Sequence, residues 1–391
     1  MKITGIVCEY DPFHNGHAYL IDRAKGESDA VVCVMSGHFT QRGTPAFADK
    51  YTRAEAALRA GADLVLELPY PYCSASAAYF ASAGVAILNA VGASHICFGS
   101  ERGDALILER MADLALSREG IAAEADEGAA GSYLDALAKA YEQQYGQIVT
   151  LQPNDILAVE YIKSIRKNGY AIKPQAVLRR GDGFLEAKTG ASAYPSATAL
   201  RAAIHTQGID AAEGYMPQDA FALLRAAIER GDAPANLDRL ASAILTFFRL
   251  ANAETLETVA ELGNGLEYRL CNAAREATTL DEFFAAVSTK KYTDARIRRA
   301  VFYAMLGVTR EDLERIPAYT LLLGANSCGR TVLSALRHRE TVIPVMTKPA
   351  DAERVAPRQY ALSLAADSLF TQALPHPQPA AFFLKKSAVI L

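Results

Sequence analysis

Two histidines that flank an asparagine and a glycine have the clearest capacity for chemistry. His14, Asn15, Gly16 and His17 form HNGH behind a short apolar run at 3–8. Glycine has no Cβ, so a phosphate can approach the backbone closely there. If a helix begins at this point, its unpaired N–H groups and both imidazoles face one space. The spacing predicts a nucleotide site in which imidazole donors stabilise charge on an α-phosphate as pyrophosphate leaves.

The same four residues admit two other interpretations. Histidines at helix starts can serve only as caps, and two imidazoles can hold a metal, although no third ligand stands nearby in the sequence. The position between an apolar strand and a helix favours the nucleotide site over both. We therefore predict no metal site.

A second predicted helix start carries side chains that could also bind phosphate. In SATALR, Ser196 is placed to cap a helix, Thr198 lies in its first turn, and Arg201 adds a positive charge. Hydroxyls, helix N–H groups and a guanidinium all suit phosphate oxygens. Alone, this segment is typical of an ordinary cap with a surface arginine. Beside HNGH, it predicts the other half of a phosphate site.

Strands that alternate with helices must position these groups. Apolar strands are predicted at 3–8, 30–35, 63–69 and 94–101, and a fifth strand runs into a glycine loop over 172–184. Strands that are apolar throughout, with helices between them, indicate a parallel sheet covered on both faces. Ligands bind at the carboxyl ends of such strands.

The alternation stops near residue 206. Helical segments are then predicted at 218–230, 236–252, 254–261, 267–276, 280–288 and 292–306, before a small mixed element from 319 to 349. A loop is predicted at 119–132. We predict two domains, an α/β nucleotide-binding domain at 1–205 and a mainly helical domain at 206–391.

Composition limits the class of protein. The net charge of -4 gives no global sign of nucleic-acid binding, so any basic surface must be local. Six cysteines without a C-x-x-C pair predict a reduced, cytoplasmic protein without cysteine-bound zinc. No stretch reaches the roughly 18 apolar residues of a membrane span, and no signal peptide is apparent.

Longer blocks carry a resemblance. The chain contains, in order, EYDPFHNGHAYL, VMSGHFTQRGTPAFADKYTRAEAAL, GADLVLELP, FGSE, PNDILAVEYIK, SATALR, KKYTDARIRR and PVMTKPA. It resembles the bacterial tRNA(Met) cytidine acetate ligase family, of the H-x-G-H (HIGH-type) nucleotidyltransferase superfamily, nearly from end to end. The resemblance implies a Rossmann-like fold and an ATP-dependent ligase. It also implies formation of acetyl-adenylate and pyrophosphate, and transfer of acetyl to N4 of the wobble cytidine in the anticodon of elongator tRNA(Met).

The resemblance also assigns residues. His14 and His17 are implied to be catalytic. The implied ATP contacts are Val7, Cys8, Glu9, Tyr10, Asp11, Pro12, Phe13, His14, Asn15, Gly16, His17, Ala18, Tyr19, Leu20, Gly99, Asn154 and Arg179, with Ser196 and Thr198 completing the phosphate site. Asn154 could instead cap a helix, and Arg180 could replace Arg179. Two residues depart from the family pattern: Asp11 replaces an asparagine, and either attracts Mg²⁺ or points away, and Leu178 replaces a basic residue.

A basic segment in the second half is the predicted tRNA contact. Lys290, Lys291, Arg296 and Arg299 lie close together, and Arg296, Arg299 and Tyr303 share one face of a predicted helix. Such a stripe suits RNA phosphates and an unstacked base. An ordinary solvated helix face is the alternative.

The sequence offers several candidate ligands for acetate and two alternatives to the ligase activity. Candidate acetate ligands near the end of the second strand are Ser36, Gln41, Arg42, Lys50 and Arg53. A small-molecule adenylyltransferase could use the same H-x-G-H site, but it would need only the first half of the chain. A nucleotide-sensing or RNA-binding module without turnover is a third possibility.

Overall fold

A computed structural model of the chain describes residues 1–117, 130–180, 194–289, 291–337 and 341–391, with side chains in the second range from residue 133. The strands are β1 (Ile3–Cys8), β2 (Ala30–Ser36), β3 (Leu64–Leu68), β4 (His95–Ser100), β5 (Lys173–Leu178), β6 (Thr320–Ala325), β7 (Val345–Met346) and β8 (Val389–Ile390). The helices of the first half are α1 (Asn15–Lys25), α2 (Lys50–Arg59), α3 (Ala77–Ala90), α4 (Ala105–Leu116), α5 (Ala130–Tyr145), α6 (Pro153–Asn168) and α7 (Ala197–Gln207). Those of the second half are α8 (Gln218–Glu229), α9 (Ala241–Leu250), α10 (Leu266–Glu276), α11 (Leu280–Val287), α12 (Asp294–Leu306), α13 (Arg310–Glu314), α14 (Ser327–Leu336), α15 (Ala352–Val355) and α16 (Pro357–Ala373).

The sheet has the strand order β5-β4-β1-β2-β3-β6-β7, and β8 pairs with β6. β1 to β5 are parallel, as predicted. From β1 the chain moves outward through β2 to β3 and then returns to place β4 on the other side of β1. The order therefore reverses between β1 and β4. The carboxyl ends of these two strands border the crevice in which such sheets bind ligands.

Helices pack on both faces of the sheet because the buried strands present side chains to each side. On β1, Gly5 and Val7 face α3, and a Cβ added to Gly5 would lie 2.3 Å from Cδ2 of Leu88. Since side chains alternate along a strand, Ile6 and Cys8 point to the opposite face. The absence of a side chain at Gly5 thus lets α3 approach β1 closely.

The second half is helical as predicted, with some differences. The prediction of a helix at 254–261 is wrong, because the chain forms only a short 3₁₀ helix there, Ala253–Leu256. The loop predicted at 119–132 lies mostly outside the described residues, and helix α5 begins at Ala130.

The sheet also crosses the division predicted near residue 206. β6 pairs antiparallel with β3, and both halves contribute to one hydrophobic core. The two-domain division stays a prediction, but the mixed element of the second half extends the sheet of the first.

Two further expectations concern the whole chain. The six cysteines are free thiols, and five of them are buried. Within the described ranges, no helix combines the length and apolar character needed to cross a membrane.

Candidate active site

The start of α1 is built by the two histidines themselves. His14 is the N-cap, and its Nδ1 accepts a hydrogen bond from the Gly16 N–H at 3.0 Å. Nδ1 of His17 accepts in turn from the His14 N–H at 3.3 Å. The two rings stack, with centroids 3.7 Å apart and planes 28° apart. This reciprocal arrangement is a capping box made from imidazoles, and it fixes both rings beside the first turn.

The surroundings of the two rings determine their protonation. Burial, followed by the positive charges of Arg179 and Arg201, lowers the pKa of His14 to about 3. Burial, with His14 and Arg179 nearby, lowers the pKa of His17 well below its usual value. Each ring is therefore neutral near pH 7, and because each Nδ1 accepts a hydrogen bond, the proton lies on Nε2. Both histidines are hydrogen-bond donors through Nε2–H.

A cavity of about 340 Å³ lies at the carboxyl ends of β1 and β4, where the strand order reverses. It brings together most of the predicted ATP contacts, namely Val7, Cys8, Glu9, Tyr10, Asp11, His14, Gly16, His17, Tyr19, Leu20, Gly99, Asn154, Arg179, Ser196 and Thr198. Both rings of the HNGH segment thus border one space, as predicted.

Four residues of the predicted segment do not line the cavity. Phe13 is buried against the ring of Tyr10, with centroids 4.8 Å apart. The Asn15 side chain donates to the carbonyl of Gly214 at 2.9 Å, which ties the start of α1 to the second half of the chain. The other two are Pro12 and Ala18. The contacts of Phe13 and Asn15 hold the segment in place.

The start of α7 forms the facing wall. Ser196 is its N-cap, with Oγ accepting from the Ala199 N–H at 3.1 Å, as the sequence predicted. Arg201 pairs with Asp11, Nη1 to Oδ2, at 3.2 Å, and also donates to Thr198 Oγ1 at 3.2 Å. The charge of Asp11 is therefore compensated by a neighbouring guanidinium.

The third wall comes from β4, α6 and the end of β5. A Cβ at Gly99 would lie 3.3 Å from Cγ of Arg179, so the glycine allows that arginine to cross the strand end. The Asn154 side chain donates to Glu101. The N-cap of α6 is Gln152, so the alternative that Asn154 caps this helix is wrong. Arg180 also lines the cavity, and its guanidinium lies 4.4 Å from the ring centroid of Tyr19.

The loop between β2 and α2 supplies the rest of the lining. Of the acetate candidates, Gln41 and Arg42 border the cavity, together with Thr40 and Thr44 of the same loop. The other three candidates do not line it. Lys50 binds Glu67 and Asp367, Arg53 donates to backbone carbonyls that include those of Glu9 and Ser36, and Ser36 itself is buried.

Residues that the sequence did not single out complete the lining. They are apolar or aromatic and come from separate elements: Phe80, Phe98, Leu157, Tyr161 and Tyr194. No local pattern marks them, because they are ordinary apolar or aromatic residues, and Phe80, Phe98 and Tyr161 are buried in the core. Leu178, the departure from the family pattern, also borders the cavity and is exposed.

The predicted tRNA stripe is not an open surface at its centre. Arg299 is 8% exposed, and its Nη2 pairs with Glu261 Oε1 at 2.9 Å. Tyr303 is fully buried and donates to the carbonyl of Ser74. Arg299 and Tyr303 share one face of α12, as the spacing predicted, but this face packs into the protein and is not an open basic surface.

The outer part of the stripe is more accessible. Lys291 is exposed, with Nζ 5.4 Å from the ring centroid of Tyr292. Arg296 is half-buried, stacks on the same ring at 4.9 Å, and pairs with Glu261 at 3.4 Å. Lys290 lies outside the described residues. A tRNA contact at these positions stays a prediction.

Known proteins resemble this chain over nearly its whole length. A family model for HIGH nucleotidyl transferases matches residues 1–382. The tRNA(Met) cytidine acetate ligase of Acetivibrio thermocellus is 34% identical, over 96% of each chain. That of Syntrophomonas wolfei is 35% identical, over 86% of this chain and 85% of the relative. A crystal structure of Thermotoga maritima TmcAL bound with α-thio ATP superposes with a TM-score of 0.89 at 30% identity over 100% of both chains.

Proposed function

The chain belongs to the tRNA(Met) cytidine acetate ligase family, and from this premise we propose that it binds ATP and activates acetate. The products of this first step are acetyl-adenylate and pyrophosphate. In a second step the acetyl group passes to N4 of the wobble cytidine of elongator tRNA(Met), giving N4-acetylcytidine. The observation that carries the proposal is the pair of neutral imidazoles at a helix start, held by the backbone N–H groups of Gly16 and His14 and lying near Arg179 and Arg201.

Adenylation places negative charge where these groups lie. An acetate oxygen attacks the α-phosphorus, and the bond from that phosphorus to the bridging oxygen of pyrophosphate breaks. His14 and His17 donate Nε2–H to the oxygens on which charge builds, and the N-terminus of α1 adds its partial positive charge. Arg179 neutralises the phosphates. No covalent enzyme intermediate is required, because positioning and electrostatic stabilisation suffice.

The remaining ATP contacts follow from the other walls. Gly99 and Asn154 border the cavity at the ends of β4 and α6, where an adenosine can lie against the strand ends. The hydroxyls of Ser196 and Thr198 at the start of α7 serve the phosphates. These roles rest on the family resemblance together with the position of each residue on the cavity wall.

The Asp11 carboxylate does not fit a resident Mg²⁺ ion. Its Oδ1 accepts from the Phe47 N–H, and its Oδ2 pairs with Arg201. The steps proposed here therefore use no metal ligand from the protein. ATP can bring its own Mg²⁺ from solution.

The helical half is the proposed tRNA-binding region. Lys291 and Arg296 provide positive charge at the outer end of α12, Tyr292 provides a ring, and Lys290 precedes them in the sequence. Arg299 is left out of this contact because it is buried against Glu261. A cytoplasmic location, where tRNA is modified, belongs to the same proposal.

The test follows labelled acetate. The protein is incubated with ATP, labelled acetate and bulk bacterial tRNA, and the tRNA is digested to nucleosides. We expect label in N4-acetylcytidine, dependent on ATP, with equimolar release of pyrophosphate. Label in a small nucleotide product, with none in cytidine, would overturn the proposal and favour the small-molecule adenylyltransferase.

A further inference from the structure

Glu9 is a carboxylate in a cavity built for anions. It follows β1 directly and lines the cavity. Its Oε1 accepts a hydrogen bond from the Gln41 N–H at 2.7 Å, and its own carbonyl accepts from Arg53 Nη1 at 2.6 Å. Both the side chain and the backbone of Glu9 are thus held in one position.

Among the residues that the structure describes, the negative charge of Glu9 has no paired arginine of the kind that compensates Asp11. Asp11 pairs with Arg201 at 3.2 Å, whereas Glu9 has no ion-pair partner within the described ranges. A carboxylate beside the proposed sites of a triphosphate and of acetate opposes the binding of both. The backbone of Glu9 can border bound ATP, as the family resemblance implies, but adenylation leaves its carboxylate without a role, whereas the second half of the reaction uses such a group.

The transfer step needs a group of this kind. The exocyclic amine of cytosine is a hydrogen-bond donor that carboxylates accept. When N4 attacks the carbonyl carbon of acetyl-adenylate, a C–N bond forms and the bond from that carbon to the AMP phosphate oxygen breaks. N4 then carries one proton more than the product amide retains. A base within hydrogen-bond reach of N4 must take that proton.

We propose, resting on the function proposed above, that Glu9 binds the N4 amine of the target cytosine through Oε2 and accepts the proton released on acetyl transfer. AMP leaves with its phosphate as the anion, so atoms and charge balance. Glu9 is then the catalytic base of the second step, while His14 and His17 serve the first.

The surroundings of Glu9 fit an entering base. Gln41, which holds Oε1, belongs to the loop whose Thr40, Arg42 and Thr44 also line the cavity. Helix α12 supports this loop from the helical half. Arg298 Nε donates to the Arg42 carbonyl at 3.0 Å, and Arg299 Nη1 donates to the Gln41 carbonyl at 3.3 Å. The carboxylate therefore lies next to the wall that the proposed tRNA-binding region contacts.

The decisive variant is Glu9→Gln. The amide oxygen of glutamine can still accept from the Gln41 N–H, so the loop keeps its support, but the amide cannot take a proton. Two steps are measured on each protein: acetate-dependent exchange of pyrophosphate into ATP, and single-turnover transfer of acetyl to tRNA. We expect the ratio of transfer to exchange to fall by about 100-fold or more, the usual contribution of a general base.

The matched control is Glu9→Asp, which keeps a carboxylate but shortens its reach. It should restore part of the transfer rate, whereas a purely structural role for Glu9 would make glutamine the better replacement. Equal loss of exchange and transfer in Glu9→Gln, or transfer at the wild-type rate, overturns the inference. Absence of exchange or of transfer in the wild-type protein would instead refute the proposed function.

The pH profile of transfer supplies a separate readout. Burial, together with the charge of Asp11, raises the pKa of Glu9, against the lowering effect of the Gln41 N–H and of two arginines. The charged and titratable groups around it are Asp11, Arg42, Arg53, Cys73, Tyr161 and Arg201. Because the base acts as the carboxylate, the wild-type transfer rate should rise with pH through this pKa. The rate of Glu9→Gln should lack that acidic limb.

Discussion

The double role of His17 allows its two ring nitrogens to be tested separately. Nδ1 accepts from the His14 N–H at 3.3 Å, and Nε2–H is left to donate into the cavity. In His17→Asn, the side-chain oxygen takes the position of Nδ1 and keeps the cap, but the donor at Nε2 is lost. In His17→Gln, the side-chain N–H reaches the position of Nε2, but the acceptor at Nδ1 is lost.

The expected losses differ in kind. Removing one donor to transition-state charge costs on the order of 10²–10³ in kcat, or about 3–4 kcal/mol. His17→Asn should lose that much in acetate-dependent pyrophosphate release, while ATP binding measured by calorimetry changes by less than about threefold. Its stability should hold, whereas His17→Ala should also lose about 1 kcal/mol in urea unfolding because the cap is gone. His17→Gln should recover part of the rate at lower stability.

The protonation of the pair adds a second condition. With the pKa of His14 lowered to about 3, only about 1 molecule in 10⁴ carries a charged ring at pH 7. The pKa of His17 is also lowered well below its usual value, so both rings are neutral near pH 7 and stay neutral as the pH rises. The kcat/KM of pyrophosphate release, which reports the free enzyme, should therefore show no limb between pH 6 and 8. A fall in rate as the pH rises through about 6.5, or a full rate in His17→Asn, would refute the assigned role.

Three further changes test the packing that positions the cavity. Gly43→Ala should lower the free energy of unfolding by at least about 2 kcal/mol and lower the melting temperature in calorimetry. The reason is that φ at Gly43 is 69° and the new Cβ would lie 2.6 Å from the Arg299 backbone nitrogen. An unchanged melting temperature contradicts this. Arg299→Ala should cost about 2 kcal/mol in urea unfolding, because it removes the 2.9 Å pair and leaves Glu261 only its longer pair with Arg296, and adding Glu261→Ala should cost much less than that again. Burial acts to raise the pKa of Asp367, but the charges and hydrogen bonds of Lys50 and His38 together outweigh it and the pKa falls to about 2. Asp367→Asn should therefore lose about 2 kcal/mol, measured by urea unfolding above about pH 4, and this difference should vanish between about pH 4 and 2, since a depressed pKa stabilises only the ionised state; a pH-independent difference would contradict that.

Local interactions account for what was predictable along the chain. The start of α1 is fixed by hydrogen bonds among His14, Gly16 and His17, which are at most three residues apart. The Ser196 cap reaches only to Ala199. Because such contacts form within one turn of chain, residue types and spacing predict them. The parallel strands were predictable for a similar reason, since apolar runs between helices have few other places to pack. Gly99, Asn154 and Arg179 were placed by family resemblance instead, as no local pattern marks them.

Long-range contacts decided the rest. The pairing of Asp11 with Arg201 joins residues 190 positions apart and settles how the unusual aspartate is used. Spacing on a helix predicted Arg299 as an RNA contact, whereas the tertiary structure buries its side chain against Glu261. The sequence by itself determined the strand-loop-helix units and the position of the two histidines at the start of α1, but their neutral state depends on burial and on the distant Arg179 and Arg201. Only the tertiary structure decided which distant side chains compensate one another's charge, because that depends on which surfaces the folded chain removes from water.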